Sequence, residues 1–484
     1  MMATPTSRAG ACAPPPADAP AAAGAHAGAD FAILGGGPIG LVCALLLARH
    51  GWTCTLVDAR PVQALQRDRR LLALSRGTLN ILDPLVGSGF APLGAIGRIH
   101  VSSRGDLGAA RLGAQDFGGE AVGATVWYAD LVGALAAAVQ AQPRIRVLRP
   151  RRAVDVQQHA QGVRVLLDDG AQLDAAIAVD AEGTPPSGAE ATHFALLAEL
   201  EVDCARGEAI ERFTREGPLA LLPLPSALPA GAAAHVADFG APRPTRLSMI
   251  WCLPAAAARE RLALPEEALC ALLAQALGPR LGTPRKLSGR SIFPLVTHRR
   301  EDVCEHRLVR LGNAAQSLHP VAGQGFNLGM RDCLVLVRCL VDAALEDAAA
   351  DGAVDKPVDS RVDKAASAVD KSPLAVDKRV DKRVDKAVDK AVDSPVDKAV
   401  DSAVEKCAFS SQSRPVSVRA LQRYRARRRL DRSLFPALTN ALPPVFATRF
   451  APVVAARAAV LLAVDLLPGA RRAFTRLLMF GAAR

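Results

Sequence analysis

Three glycines near the start of the sequence, Gly35, Gly37 and Gly40, have the spacing G-x-G-x-x-G between an apolar run at 31–34 and a longer apolar segment. In a strand–turn–helix unit, the first glycine permits a tight turn, the second lets the backbone approach a pyrophosphate, and the third lets helix pack on strand. Asp58 ends the next β-rich run, near the spacing expected of a carboxylate that binds an adenosine ribose. The stretch predicts a site for FAD or NAD, because Asp58 would repel the 2′-phosphate of NADP.

A second glycine-rich stretch, residues 307–333, could place main-chain N–H groups against a ligand. A predicted strand at 308–311 runs into a polar loop, and the N-terminus of an apolar helix follows directly behind that loop. The residues that could contact a ligand there are Gly312, Asn313, His319, Pro320, Gly323, Gln324, Gly325 and Asn327. His319 could act as a general acid or base, or it could only position the loop before Pro320.

Composition limits the classes of function. The chain has 484 residues, a net charge of +11 and 4% aromatic residues. So few aromatic side chains disfavour a stacking surface for single-stranded nucleic acid, and we expect no nucleic-acid partner. The ten cysteines include no C-x-x-C pair and no metal-ligand spacing with histidine. We therefore predict no metal site and reduced cysteines.

The segments between the two loops have the pattern of an α/β protein. Strands are predicted at 145–148 and, as a meander, between 154 and 179. Residues 68–82 carry a partial helical stripe, and residues 96–128 alternate like strands of a second, antiparallel layer. Residues 1–29 predict a disordered leader without a signal-peptide pattern, and no apolar run is long enough to predict a transmembrane helix.

A four-residue repeat of the type V-D-K/S with a spacer occupies residues 354–406. At a period of four, successive valines spiral around a helix instead of forming one face. We predict a solvated linker that contributes no chemistry.

These motifs together resemble the single-component flavin hydroxylases of the para-hydroxybenzoate hydroxylase class. The class combines a G-x-G-x-x-G motif, a strand-borne acid–glycine pair, here Glu182 and Gly183, and a C-terminal loop like the one after Gly312. The sequences GNAAQSLHPVAGQGFNLG at 312–329 and ERFTREGPLALLPL at 211–224 are similar to the ubiquinone-biosynthesis hydroxylases, most of all those acting on 2-polyprenyl-6-methoxyphenol.

The resemblance implies FAD as the cofactor. Gly35, Gly37, Gly40 and Asp58 would hold its ADP half, and Arg70 would lie near the flavin. Asn313 stands where most of the class has aspartate, near the ribityl chain and the pyrophosphate. The residues implied to lie against the isoalloxazine are Pro320, Gly323, Gln324, Gly325 and Asn327.

The implied fold is α/β, with a Rossmann-like FAD-binding domain, a substrate domain with a mixed or antiparallel sheet, and a C-terminal helical region. The FAD-binding domain would comprise residues 30–100, 131–190 and 301–345. The substrate domain would comprise 101–130 and 191–300. A low-complexity insertion at 346–414 would precede the helical region at 415–484.

The implied activity is hydroxylation of the ring of a polyprenyl phenol in ubiquinone biosynthesis, with O₂ and with NAD(P)H or another reductant. Two alternatives stay open. Glu182 in place of the usual aspartate, and Pro186 in place of a serine, would suit a non-catalytic flavoprotein or an assembly subunit. A NAD-dependent dehydrogenase is the second alternative, although it would leave the loop after Gly312 unexplained.

The tail from Phe446 to Arg484 alternates apolar runs with six arginines and one aspartate. Such a segment could pack on the FAD domain, lie on a membrane surface, or bind other ubiquinone-biosynthesis proteins. We therefore expect a cytoplasmic protein, for which peripheral attachment to the inner membrane is one option.

Overall fold

The computed structural model of the protein describes residues 26–87, 90–117, 120–183, 191–225, 243–279, 281–320, 323–350 and 416–481. The predicted repeat linker at 354–406 and most of the predicted leader lie outside these residues. The first strand begins at His26, inside the predicted leader.

The strands are β1 (His26–Leu34), β2 (Cys54–Val57), β3 (Leu71–Ser75), β4 (Gly94–Ile96), β5 (Arg98–Ser103), β6 (Ala109–Gly113), β7 (Gly123–Trp127), β8 (Ile145–Leu148), β9 (Ala153–His159), β10 (Gly162–Leu167), β11 (Gln172–Asp180), β12 (His193–Cys204), β13 (Glu208–Phe213), β14 (Pro218–Pro223), β15 (Arg243–Pro254), β16 (Pro284–Leu295), β17 (His298–Arg299), β18 (Cys304–Glu305), β19 (Leu308–Arg310) and β20 (Gln316–Ser317). The helices are α1 (Pro38–Arg49), α2 (Val62–Leu65), α3 (Arg76–Val86), α4 (Tyr128–Gln140), α5 (Ala255–Ala263), α6 (Glu266–Leu277), α7 (Gln324–Ala350), α8 (Arg419–Ala447), α9 (Ala451–Leu466) and α10 (Pro468–Phe480).

The central sheet has the strand order β18-β19-β11-β1-β2-β8, and β10 and β9 extend it from β11. Strands β19, β11, β1, β2 and β8 run parallel. Their carboxyl ends are in register, since Leu34 pairs with both Val57 and Asp180, and Asp180 pairs with Arg310. The loops that follow these strands therefore converge at one edge, which is where open α/β sheets bind ligands.

The second large sheet has the order β16-β12-β15-β14-β13-β5-β6, with α5 and α6 contributing to the apolar core on one face. Strand β5 pairs in parallel with β13, because the chain passes through the central sheet between them. The predicted domain boundary at residue 100 falls within β5. The predicted second layer at 96–128 is divided, since β5 and β6 join this sheet whereas β7 joins a third sheet.

The third sheet, with the order β3-β7-β4, corrects the helix predicted at 68–82. Residues 71–75 form β3 because their backbone pairs with β7, for example Leu72 with Val126. The helix α3 starts only after Ser75, whose side chain caps it by accepting a hydrogen bond from the N–H of Thr78 at 3.3 Å. Tertiary pairing thus prevails over a local helical pattern.

The C-terminal helices pack on the rest of the described chain. Phe446 of α8 stacks on Phe213 of β13, with ring centroids 3.9 Å apart. On α9, Asp465 accepts a hydrogen bond from the N–H of Arg111 in β6 at 3.0 Å. Of the three options for the tail, packing is thus observed. No single helix in the described chain meets the length and hydropathy of a membrane span, although α9 and α10 do so together, across a 98° bend.

Candidate functional site: the loops at the carboxyl edge of the central sheet

The first loop has two glycines that the fold itself requires. Gly35 has φ of +102°, and a Cβ there would lie 2.7 Å from the carbonyl carbon of Ala181. A Cβ on Gly40 would lie 1.9 Å from the carbonyl oxygen of Gly35. Gly37 is different, because the nearest atom to its Cβ position is the Tyr128 hydroxyl at 3.7 Å, and Gly37 lines a cavity. Space at this position leaves room for a ligand at the N-terminus of α1.

Asp58 holds this loop from the end of β2. Its side chain is 3% exposed, and it accepts hydrogen bonds from the N–H groups of Gly36 at 2.6 Å and Arg60 at 2.7 Å. The guanidinium of Arg149 lies 3.2 Å from the carboxylate and donates to the carbonyl of Gly36 at 2.9 Å. Sequence reasoning missed Arg149, because it follows β8, and only the pairing of β8 with β2 brings it to the loop.

The acid–glycine pair after β11 meets the loop after β19. A Cβ on Gly183, whose φ is +70°, would lie 3.4 Å from the Cβ of Asn313. Asn313 is exposed. The cavity is lined by Asn313 together with Glu182 and Gly312. Burial, and then the charges of Asp180 and Asp58, raise the pKa of Glu182. The two motifs that lie far apart in the sequence therefore form one wall of the cavity.

The turn before α7 and the first residues of α7 form the next part of this wall. Pro320, Gly323, Gln324 and Gly325 all line the cavity. Gly323 has φ of +58°, and its N–H donates to the carbonyl of Pro320 at 3.0 Å, which closes a tight turn. The Cβ position of Gly325 meets no atom within 4 Å. A flat ring system could therefore approach the backbone of this loop closely.

Asn327 fixes the loop with its side-chain amide. The oxygen accepts hydrogen bonds from the Ser75 N–H at 2.8 Å and the Thr78 hydroxyl at 2.7 Å. The nitrogen donates to the carbonyls of Ala73 at 3.0 Å and Gly323 at 2.8 Å. Since these four bonds satisfy the amide, Asn327 joins α7 to β3 and α3, although it also lines the cavity.

Arg70 lines the cavity and directly precedes β3. Its guanidinium is paired with Asp68 at 2.6 Å and lies over the rings of Tyr128, at 4.9 Å, and Phe293, at 5.4 Å. Burial disfavours the charge, but the hydrogen bonds and charge of Asp68 outweigh it and raise the pKa of Arg70. Arg70 is therefore a permanent cation at the cavity wall.

His319 is not among the residues that line the cavity. Burial, and then the neighbouring His193, lower its pKa to about 4. Its Nδ1 is buried and has no hydrogen-bond partner among the described residues. The imidazole is neutral near pH 7, so the geometry favours the positioning role over acid–base chemistry.

The cavity has a volume of about 1020 Å³ and extends well beyond the loops. One end is lined by the glycine-rich loops and by Arg60, which sequence reasoning also missed. Away from these loops the cavity is lined by apolar residues of the second sheet and of α8 and α9, whereas Met479 of α10 lies beside Ser75. A cavity at the upper limit of small-molecule sites can hold a large cofactor and an apolar co-substrate in sequence along its length.

Two curated proteins show clear similarity to the chain. It is 29% identical to "Ubiquinone hydroxylase UbiL" of Rhodospirillum rubrum, over 68% of this chain and 76% of that protein. It is 27% identical to "3-demethoxyubiquinol 3-hydroxylase" of Escherichia coli, over 65% of this chain and 80% of that protein.

Among solved structures, the p-nitrophenol 4-monooxygenase PnpA from Pseudomonas putida DLL-E4 has a TM-score of 0.58 and covers 94% of this chain and 99% of its own, at 12% identity. The expected α/β fold is confirmed. The family described as FAD binding domain matches residues 29–187 and 230–372, more than half of the sequence. The expected cofactor, FAD, is therefore confirmed, and the chain belongs to this FAD-binding family.

Proposed function

We propose that the protein is a FAD-dependent monooxygenase that hydroxylates the ring of a polyprenyl phenol in ubiquinone biosynthesis, using O₂ and NAD(P)H or another reductant. The observation that carries the proposal is the single cavity that joins the flavin-binding loops to a long apolar wall. A substrate with a phenol ring and an isoprenoid tail matches such a cavity. Relatives named as ubiquinone hydroxylases support the same substrate class.

The residues present fit FAD. The N-terminus of α1, with Gly37 at its cap, suits the pyrophosphate, since unpaired N–H groups and the positive end of the helix dipole favour an anion. Asn313 and the backbone at Gly325 offer hydrogen bonds and space beyond it. When bound, FAD supplies the redox chemistry that activates O₂ for transfer of one oxygen atom to an electron-rich ring.

The task of the remaining residues is to orient the ring and exclude water. The cavity face of the second sheet is apolar at Val101, Ala110, Ala220 and Leu222. Among the described residues on this face that line the cavity, Glu211 is the ionisable one. An apolar enclosure of this kind keeps reactive oxygen species from water.

The two alternative functions fit the observations less well. The FAD family match favours a flavoprotein over a NAD-dependent dehydrogenase. The long apolar end of the cavity favours a catalyst over an assembly subunit, because a scaffold needs no enclosed space beside its cofactor. The replacement of aspartate by Glu182 keeps a carboxylate at the cavity wall.

The proposal is tested with purified protein, FAD, a reductant and a phenol that carries a short isoprenoid chain. We expect oxygen uptake that depends on the phenol, and a product that contains one atom of ¹⁸O when ¹⁸O₂ is supplied. The matched control is the cyclohexanol that carries the same isoprenoid chain. It should not be hydroxylated, because its ring is not electron-rich. Absence of both phenol-dependent oxygen uptake and labelled product in the FAD-loaded protein would contradict the proposal and favour the scaffold.

We also propose that the protein attaches peripherally to the membrane that holds its substrate. The two ends of α9 and the C-terminal end of α10 present exposed apolar residues, which are Phe450, Leu466, Leu467 and Phe480. Apolar side chains of this kind insert into an interface, and nearby arginines attract anionic lipid by about 1 kcal/mol each. Truncation would remove the cavity wall, so surface substitutions are the sharper test.

A variant with glutamine at Phe450, Leu466 and Leu467 should bind vesicles of anionic lipid less than the parent does. The control for loss of an exposed apolar side chain is Val154→Gln, because Val154 lies on β9 of the central sheet, away from the C-terminal helices. The measurement is co-sedimentation with anionic and with neutral vesicles. Equal sedimentation of the triple variant and the parent would contradict attachment through this surface.

A further inference from the structure

The apolar end of the cavity is built largely by the C-terminal helices. On α9, the residues Val453, Ala456, Val460 and Val464 line it, with the spacing of one helical face. Residues Leu438, Leu442 and Val445 of α8 continue the same wall. This wall thus comes from the C-terminal helices, which carry none of the FAD motifs.

Within the described part of the chain, two residues of this wall are exposed. Val460 is 61% exposed and Val445 is 37% exposed, although both line the cavity. Apolar side chains in a concave surface gain free energy when an apolar ligand removes them from water. The wall is therefore complementary to a hydrocarbon chain and not to a polar group.

The charged residue in this wall is turned to internal partners. The guanidinium of Arg457 pairs with Asp106 and donates to the carbonyl of Val445 at 2.6 Å. It also donates to the carbonyl of Thr448 at 3.3 Å and lies 5.5 Å from the ring centroid of Phe446. Because these groups hold the charge, the arginine can close the wall without requiring an anionic ligand.

We infer that the face of α9 defined by Val453, Ala456, Val460 and Val464 binds the isoprenoid tail of the substrate. This inference rests on the proposed function and specifies where the tail lies. The phenol ring then lies toward the glycine-rich loops, because the cavity is continuous between its two ends. The C-terminal helices thereby select prenylated phenols over free ones.

The test compares two variants of the same helix. Val460→Gln places an amide in the wall, whereas Leu462→Gln changes an exposed apolar residue of α9 that does not line the cavity. KM is measured for a phenol with two isoprene units and for the same phenol without them, and FAD content is measured for each protein. We expect Val460→Gln to raise KM for the prenylated phenol about tenfold, with KM for the free phenol unchanged. Leu462→Gln should change neither value.

An equal change in KM for both phenols, or an equal effect of the two variants, would overturn the inference. If the parent hydroxylates neither phenol, the proposed function fails, but the tail site is still decided by binding. In that case the prenylated phenol is titrated into the FAD-loaded protein while the flavin absorbance is followed. Weaker binding to Val460→Gln than to Leu462→Gln would support the tail site, and equal binding would refute it.

Discussion

Replacement of Arg428 by methionine should destabilise the protein by about 3–5 kcal/mol, because it leaves buried carboxylates without their counter-charge. The side chains of Arg428, Asp332 and Asp431 are each 1% exposed. The guanidinium of Arg428 lies 2.7 Å from Asp332 and also contacts Asp431. Burial disfavours its charge, but Asp332, Tyr424 and Asp431 outweigh this and raise the pKa of Arg428. The arginine is therefore charged at every working pH.

The effect should reach the flavin loop. Asp332 accepts a hydrogen bond from the N–H of Gly312 at 3.3 Å. Arg428 therefore positions the carboxylate that fixes the start of the loop after β19. We expect Arg428→Met to weaken FAD binding as well as to lower the free energy of unfolding. Arg428→Lys should restore part of both, since it keeps the charge but loses the bidentate geometry.

The measurement is urea unfolding of the FAD-loaded and FAD-free proteins, together with an FAD titration. Arg427→Met is the matched control, because Arg427 is on the same helix but is 51% exposed and pairs with the exposed Asp342. An exposed pair of this kind contributes only about 0–1 kcal/mol. Equal losses in the two variants would refute the reasoning, as would a destabilised Arg428→Met protein whose affinity for FAD is unchanged.

Three further predictions concern the loop at Gly37 and Gly40, the side chain of His100, and the repeat. Gly40→Ala should destabilise the fold by about 1–3 kcal/mol, because its Cβ would overlap the Gly35 carbonyl. Gly37→Ala should keep the melting temperature of the parent but bind FAD more weakly. A loss of melting temperature in both variants would contradict this. Burial, and then the charges of Arg111 and Arg212, lower the pKa of His100 from 6.5 to about 4. As pH falls through this range, His100 takes up a proton in the unfolded state before it does so in the folded state. The free energy of unfolding should therefore fall as pH drops from about 6.5 toward 4. His100→Asn should flatten that fall in a series of melting temperatures, and an unchanged slope would disprove the assignment. Deletion of 354–406 should preserve FAD content and melting temperature, and a large loss of either would show that the segment packs.

Sequence reasoning identified the two glycine-rich loops of the cavity because their local geometry leaves a pattern in the sequence. The turn at Gly35 and Gly40 depends on close contacts within one strand–helix unit, and such contacts leave a fixed spacing in the sequence. The loop from Gly312 to Gly325 was recognisable for the same reason. Both line one cavity, as a shared cofactor site requires.

The residues that sequence reasoning missed or assigned differently depend on contacts between distant segments. Arg149 reaches Asp58 only because β8 pairs with β2. The family resemblance implied that Asn327 contacts the flavin, and the structure adds three hydrogen bonds between its amide and β3 and α3, which no local pattern shows. The wall at Val460 could not be identified, since an amphipathic helix looks the same whether its apolar face meets protein, lipid or a ligand.

The contact of Arg428 with Asp332, whose carboxylate binds the N–H of Gly312, also determines when the site is complete during synthesis. Ribosomes add about 5–20 residues per second, so roughly 20–80 s separate the emergence of Gly35 from that of Arg428. Until then the growing chain presents the apolar face of the second sheet without its helical cover. We therefore expect FAD to be acquired only after α8 has emerged, and nascent chains to depend on chaperones until that point.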